Sequence, residues 1–377
     1  MKNKKINQFI KTIKKPWLLN SNQNTISYRF IKKLSEFCFN YLPRPIRKRM
    51  LSFLQTTSET LIRFITTINQ LSYTAYLIDG KEKNSKSKLK ILYLSNEGLY
   101  PYLMNLIFFE KPRYKTIDKI KIWNINKKIK KNYNKIDAVF IESNTFYAGY
   151  FEKQGFTIIP ESISMTLDIS EPFEKIYKKF SKSAKEDIRK VKRYKFTYEL
   201  TNDPEKLKLF YYKMYLPYIS QRHKEIATHT NFHAIRMSLE KNGRLMLIKH
   251  KNEYISGALF SIKKEKAIAT YLGIKKEKTK LLKKGLTAAS YYFFIKWAKG
   301  NGIKILDFGT SKAFLNDGLF RYKKKWGTKI DKTESYYYSV FPFKIYKQSK
   351  GIKSFVKNNP FVYLKKNQLK NTLSKKE

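Results

Sequence analysis

Cysteine is almost missing from this 377-residue chain: Cys38 stands alone, which excludes an intramolecular disulfide framework and any thiolate metal cluster. Its neighbours Phe37 and Phe39 mark it as a small core residue, not a reactive thiol. Carboxylates are scarce too, 29 Asp and Glu against 79 Lys and Arg, for a formal net charge of +50. An AT-rich coding bias would enrich Lys and Asn but also Glu, so it does not explain the deficit. The imbalance points to an anionic partner: RNA, donor phosphates, a polyanionic wall polymer or an anionic membrane surface. Solubility alone, or a high-salt cytoplasm, is the blander alternative.

Long hydrophobic runs are absent as well. No apolar stretch approaches the ~20 residues needed to cross a bilayer. Residues 1–19 alternate lysine with isolated Ile and Phe, unlike the continuous apolar segment of a secretory signal. The expected location is the cytoplasm, including a peripheral position at the inner face of the cell membrane. Of the histidines, only His229 and His233 share an i,i+4 spacing, and no carboxylate accompanies them, so no metal site is expected.

Aromatic residues are abundant, 28 Tyr and 27 Phe, and 42% of the chain is hydrophobic, enough to build folded cores. The length suits two domains. Residues 1–84 read as a basic amphipathic helical extension. Ile6, Phe9, Ile10 and Ile13 recur at helical spacing, as do Ile26, Phe30, Ile31, Leu34 and Phe37, with breaks at Pro16, Pro43 and Pro45. This extension either packs on the body or lies at an anionic membrane surface, and the basic run 44–49 suits the second role. A polar linker follows at Gly80–Lys88. Residues 85–171 then read as a small α/β unit, with strands at 90–95 and 136–141 and a helix end stopped by Gly155. Residues 172–345 read as a second α/β unit, and 346–377 as a basic, partly frayed tail.

The second unit is the more regular. A helix spans 173–193, with Lys182, Lys185, Arg189 and Lys192 as a basic stripe that an ordinary solvated face would also produce. A second helix spans 204–220. Three strands, 244–250, 254–262 and 267–274, form a meander, and a helix from Leu286 to Lys299 stops at Gly300-Asn-Gly302. A strand over 303–308 and an aromatic-basic turn, Tyr322-Lys-Lys-Lys-Trp-Gly327, complete the block.

These parts suit acyl transfer. The helix start at Leu286 offers unpaired backbone N–H groups, and Gly285 would let a phosphate approach beside Lys283, Lys284 and Thr287; a plain turn would look the same. Backbone N–H groups near Leu272 and Gly273 are placed to polarise an acyl carbonyl. Lys323, next to Tyr322 and Trp326, would be partly desolvated and would stabilise a developing oxyanion, although a surface lysine is the simpler reading. Asp307 ends a buried strand and would deprotonate or orient an attacking amine, or merely cap a turn. Arg222 would grip a phosphate or carboxylate bidentately. Tyr271, Ser311, Tyr322 and Trp326 complete the candidate substrate-binding set, and His223 is a weaker candidate base.

The run Trp297-Ala…Gly302…Leu306-Asp-Phe-Gly-Thr-Ser311…Gly318-Leu-Phe-Arg-Tyr-Lys323…Trp326-Gly327 resembles the signature of FemAB-like acyltransferases of the GNAT superfamily. Arg189-Lys190 and Gly155-Phe…Ile159-Pro160…Leu167-Asp-Ile-Ser170 add to the resemblance, which covers about residues 85–340. It implies two tandem GNAT-like domains with mixed sheets. It also implies transfer of an acyl or aminoacyl group to an amine without a metal, and a catalytic lysine at the position of Lys323. The acyl-CoA signature of ordinary GNAT enzymes would fall on Leu282-Lys-Lys-Gly-Leu-Thr287, which keeps only Gly285, and the helical arm of some Fem proteins has no counterpart. Acyl-CoA and aminoacyl-tRNA both remain as donors, with no tightly bound cofactor, and the acceptor would be an amine of the cell envelope or of a polysaccharide precursor. The alternative is a non-enzymatic RNA- or membrane-binding module on a degenerate acyltransferase scaffold.

Overall fold

A computed structural model describes residues 66–132, 136–223, 230, 232–331, 339–366 and 368–372. Cys38, His229, the basic run 44–49 and nearly all of the expected helical extension lie outside these residues. The described chain divides into two compact units. One holds Met165–Gly309 and Tyr322–Lys329; the other holds the described parts of Glu59–Ser164, Thr310–Arg321 and Ile330–Glu377. The fold is mixed α/β, each unit being built on one mixed sheet.

In chain order the strands are β1 (Ser72–Lys81), β2 (Lys88–Ser95), β3 (Arg113–Lys121), β4 (Ala138–Ile141) and β5 (Thr157–Pro160). Next come β6 (Ser162–Asp168), β7 (Thr197–Thr201), β8 (Gly243–His250), β9 (Glu253–Lys263) and β10 (Lys266–Ile274). The last are β11 (Ile305–Lys312), β12 (Lys329–Asp331), β13 (Val340–Ile345), β14 (Val362–Lys365) and β15 (Gln368–Asn371). The helices needed below are α1 (Pro101–Ile107), α2 (Lys182–Arg193), α3 (Leu216–His223), α4 (Leu286–Gly300), α5 (Gly318–Lys324) and α6 (Lys350–Asn358).

The eight-stranded sheet runs β15-β14-β5-β13-β4-β2-β1-β3, with β2 and β4 parallel. Two expectations fail here. Residues 72–81 form strand β1 and are not part of a helical extension. Tyr73 and Ala75 are buried while Ser72 and Thr74 face outward, a period of two that a helical reading overruns. Gly80–Lys88 is a hairpin turn closing the β1–β2 pair, not an inter-domain linker: the Glu82 carboxylate accepts from the N–H and hydroxyl of Ser85.

The residues read as a basic tail, and the end of the expected second domain at 340–345, depart from expectation as well. Strand β13 inserts between β4 and β5, and β14 and β15 extend the same sheet. Helix α6, capped by the Ser349 hydroxyl, buries Ile352 and Phe355. The domain is therefore discontinuous in sequence, which the boundaries 85–171 and 346–377 did not anticipate. Phe355→Ala should cost about 3–5 kcal/mol, as expected for a buried aromatic lost from a packed core. Its ring packs edge-on against Phe140 and Phe343. An unchanged urea midpoint would show that α6 is not part of this core.

The seven-stranded sheet runs β12-β6-β11-β10-β9-β8-β7. The meander β8–β9–β10 and helix α4 fall where the sequence puts them. The helix expected over 173–193 is two, Phe173–Lys178 and α2, broken where the Ser181 hydroxyl caps α2 by accepting from Ala184 N–H. The helix expected over 204–220 contains a π-helical turn at Tyr211–Tyr215, leading into α3.

Candidate functional site

Strands β10 and β11 are parallel and pair over only three positions, Lys266↔Ile305, Ala267↔Leu306 and Ile268↔Asp307. Beyond Asp307 they part. On its other side β10 stays paired with β9 as far as Ile274, with a bulge between Ala269 and Tyr271. Lys275 N–H donates to Ile255 O at 3.0 Å, and the same register continues through Gly273↔Gly257. Antiparallel alternation therefore turns the Gly273 N–H toward β9 and the Leu272 N–H toward the opening. Of the two amides expected to meet an acyl carbonyl, Leu272 supplies the one on the free edge, and Gly273 is committed to the ladder. Gly273 serves packing: a Cβ there would lie 2.5 Å from the backbone nitrogen of Tyr215 in the π-helical turn. Tyr271 faces the same side, its ring 5.5 Å from that of Tyr215, and burial raises its hydroxyl pKa.

The parting point is built around Asp307 and Gly309. Asp307 is 5% exposed; one carboxylate oxygen lies 3.0 Å from Lys266 Nζ and the other accepts the Gly309 N–H at 2.9 Å. Gly309 has φ of 76°, in the left-handed region that favours glycine. A Cβ there would also sit 3.0 Å from the Ala269 carbonyl oxygen. Gly309→Ala should cost about 1–2 kcal/mol for the left-handed backbone alone. Equal denaturation midpoints for mutant and wild type would contradict that conformation.

Lys323 donates from Nζ to the Gly309 carbonyl at 2.9 Å and is 3% exposed. Its burial follows from spacing: Phe320, Lys323 and Trp326 recur every three residues through α5 and its C-terminal turn, and all three are buried. Asp317 starts the helix, its carboxylate accepting from the Leu319 and Phe320 N–H groups. Gly327, at φ of 76°, ends the turn against Lys179. Trp326 is 0% exposed, stacked on Tyr291 at 5.6 Å and edge-on to Phe180 at 5.4 Å. Tyr322 meets Tyr291 edge-on at 5.3 Å, and burial holds its hydroxyl pKa well above the usual phenol value. The ammonium over the Tyr322 ring is that of Lys325, 4.0 Å from the centroid, which also pairs with Asp187.

Gly285 is the left-handed residue at the start of α4, but it is buried: a Cβ would meet Lys190 Cβ at 3.3 Å and Asp187 O at 3.4 Å. Its glycine is accounted for by that conformation and by the approach of α2, not by room for a phosphate. Lys283 and Lys284 are exposed, Lys284 lying 4.9 Å from the Tyr194 ring centroid, and Thr287 is half-buried. Arg222 and His223 sit at the C-terminal end of α3, with their side chains outside the described residues. Ser311 belongs to the eight-stranded unit, 3% exposed, and its Oγ has no hydrogen-bond partner. The sequence candidates that gather at one point are thus Lys323 and Asp307, joined by Gly309. Gly309 and Lys266 were overlooked, though a glycine inside a strand is a bulge signal.

A second polar group, also overlooked, lies within the eight-stranded unit near the ends of β2, β4 and β5. Glu142 accepts from Tyr93 OH at 2.9 Å and Ser95 Oγ at 2.8 Å. Glu161 accepts from Tyr100 OH and Lys312 Nζ, each at 2.9 Å. Burial is the largest single influence and works to raise the Glu161 carboxyl, but the Lys312 charge and the hydrogen bonds from Lys312, Tyr100 and Ser339 together hold the group below its ordinary value. Partial loss of solvent around the carboxyl, with help from the Glu142 and Glu161 charges, pushes Glu97 up to about 7; the residue is exposed, so water screens the effect and its direction is what carries to stability. A carboxyl raised in the folded state binds more protons there than in the unfolded chain. Stability should therefore fall as pH rises from the ordinary carboxylate value of 4.5 to about 7. Glu97→Gln should flatten that decline in thermal melts; identical slopes would place Glu97 in ordinary solvent.

Among the described residues no helix is long and apolar enough to cross a membrane. No protein-family model matches the sequence, and no curated protein matches it. Solved structures match the chain at low identity. FemX is 15% identical, with 78% of this chain and 93% of that chain covered and a TM-score of 0.38. L-PGS from Bacillus licheniformis is 10% identical, covering 74% and 87%, with a TM-score of 0.34. A GCN5-related N-acetyltransferase-like protein from Streptococcus suis 89/1591 is 13% identical, covering 73% and 84%, with a TM-score of 0.30.

Proposed function

We propose that this chain is an N-acyltransferase that passes an acyl or aminoacyl group from acyl-CoA or aminoacyl-tRNA to an amine of a cell-envelope or polysaccharide precursor, in the cytoplasm or at the inner membrane face. The observation that carries this reading is the buried Lys323 ammonium, fixed on Gly309 at the point where β10 and β11 part. A tetrahedral intermediate of acyl transfer carries its charge on one oxygen. A cation and a backbone N–H, here Lys323 and Leu272, are groups suited to that oxygen in a site of low dielectric. The amine attacks the acyl carbonyl, the C–N bond forms as the bond to the donor's sulfur or oxygen breaks, and the amine's proton passes to water or the leaving group. The test is mass spectrometry of reactions containing acetyl-CoA or alanyl-tRNA with a panel of primary amines. An N-acylated product that disappears with Lys323→Met supports the reading; no product from either donor class counts against it.

The basic surface favours a second reading, an RNA- or membrane-binding module without chemistry. Lys182, Arg189 and Lys192 on α2, with Lys276, Lys280, Lys283 and Lys284 on the turn before α4, are all exposed. Such a module would bind polyanion with a steep loss of affinity as salt rises and would consume no donor.

A further inference from the structure

We propose that Lys266 and Asp307 are positioning residues that hold the Lys323 ammonium in place through the backbone of Gly309. The catalytic consequence rests on the transferase reading above; the structural claim does not.

The contacts form one continuous chain. Lys266 opens β10, and Asp307 is the last β11 residue paired with that strand. Their ion pair at 3.0 Å runs diagonally across the paired stretch, from its first position on β10 to its last on β11, and ties the two strands together before they part. The second Asp307 oxygen takes the Gly309 N–H at 2.9 Å, and the Gly309 carbonyl takes Lys323 Nζ at 2.9 Å. A carboxylate suits the middle of this chain because it offers two acceptor oxygens, one for an ammonium and one for an amide. The charge-assisted bonds at either end are stronger than neutral ones and hold Gly309 in its left-handed turn. That turn sets the direction of the carbonyl on which Lys323 rests. Asp307 therefore acts through backbone on another side chain, and the lysine that pairs with it offsets the cost of its burial.

The test uses trace acetic anhydride labelling of the full-length protein at neutral pH, with reactivity read lysine by lysine by mass spectrometry. Lys324, exposed on the same helix with its Nζ donating to the Thr328 carbonyl at 3.0 Å, is the reference for the helix itself. Lys299, bonded to the carbonyls of Ile169 and Ser170, is a control for general loosening of the same unit. In Asp307→Ala and Lys266→Met, labelling of Lys323 relative to Lys324 should rise about fivefold to tenfold, as expected when a buried hydrogen bond opens, while Lys299 stays as it was. Lys266→Arg, which keeps the ion pair, should restore protection. Should Asp307→Ala, which removes a buried group, fail to fold, Lys266→Met and Asp307→Asn decide the matter. Lys323 labelling unchanged in those folded variants overturns the proposal, as does an equal rise at Lys299. Where transfer is detected, Lys266→Met should lower kcat about tenfold and leave KM unchanged, the pattern of a contact made only in the transition state. A rise in labelling without any transfer activity would uphold the positioning and reject the transferase reading, so the two failures are told apart.

Discussion

Replacing Lys323 by alanine is expected to lower turnover at least ~10-fold, the loss typical of removing one electrostatic contact from a transition state. The expectation depends on where the ammonium is. At 3% exposure it lies out of bulk solvent, where a unit charge acts on a nearby oxygen more strongly than it would in water. The substitution should also destabilise the fold, because the Gly309 carbonyl loses its donor, at about 1–3 kcal/mol for a buried polar group left unsatisfied. The two effects separate by measuring the rate on protein shown to be folded by circular dichroism. A folded variant with undiminished turnover would remove Lys323 from the chemistry and leave it a structural lysine.

A loss of stability of about 3–5 kcal/mol should also come from Trp326→Ala, as for other buried aromatic residues cut back to alanine. Trp326 is fully buried, and its removal takes away the surface on which Tyr291 stacks and against which Phe180 packs. The loss should reach the site as well: the backbone N–H of residue 326, which alanine keeps, closes the turn onto the Lys323 carbonyl at 3.0 Å, but the indole that packs this turn into the core is gone. Trp326→Phe should cost less, since phenylalanine keeps an aromatic ring in the fully buried site and gives up only part of the packed area. A urea midpoint for Trp326→Ala equal to that of the wild type would refute this account of the aromatic cluster.

Periodicity in the sequence located much of the seven-stranded unit. Strands β8, β9 and β10 alternate or run apolar between short polar turns, and α4 ends at a glycine pair, so neighbouring residues suffice to define them. The same local reasoning missed β1, because residues 1–84 were read with a single helical period that ran past the start of its alternation. It also missed the role of residues 340–371. Their strands complete a sheet whose other members lie some two hundred residues earlier in the chain, and no local pattern reports a partner so distant.

The site divides in the same way. Lys323 was legible as a lysine flanked by Tyr322 and Trp326, while its place on the buried face with Phe320 and Trp326 came from the structure. Gly285 was legible only as a glycine before a helix, and proximity to α2 gave it a different meaning from the one expected. By itself the sequence determined the helix and strand periods, the charge excess and the lysine flanked by aromatics, all set by residues a few positions apart. The tertiary structure alone decided that β10 and β11 part after three paired positions and that Asp307, Gly309 and Lys323 meet there. Hydrogen bonds and ion pairs act over about 3 Å, and only folding brings residues from separate elements within that range.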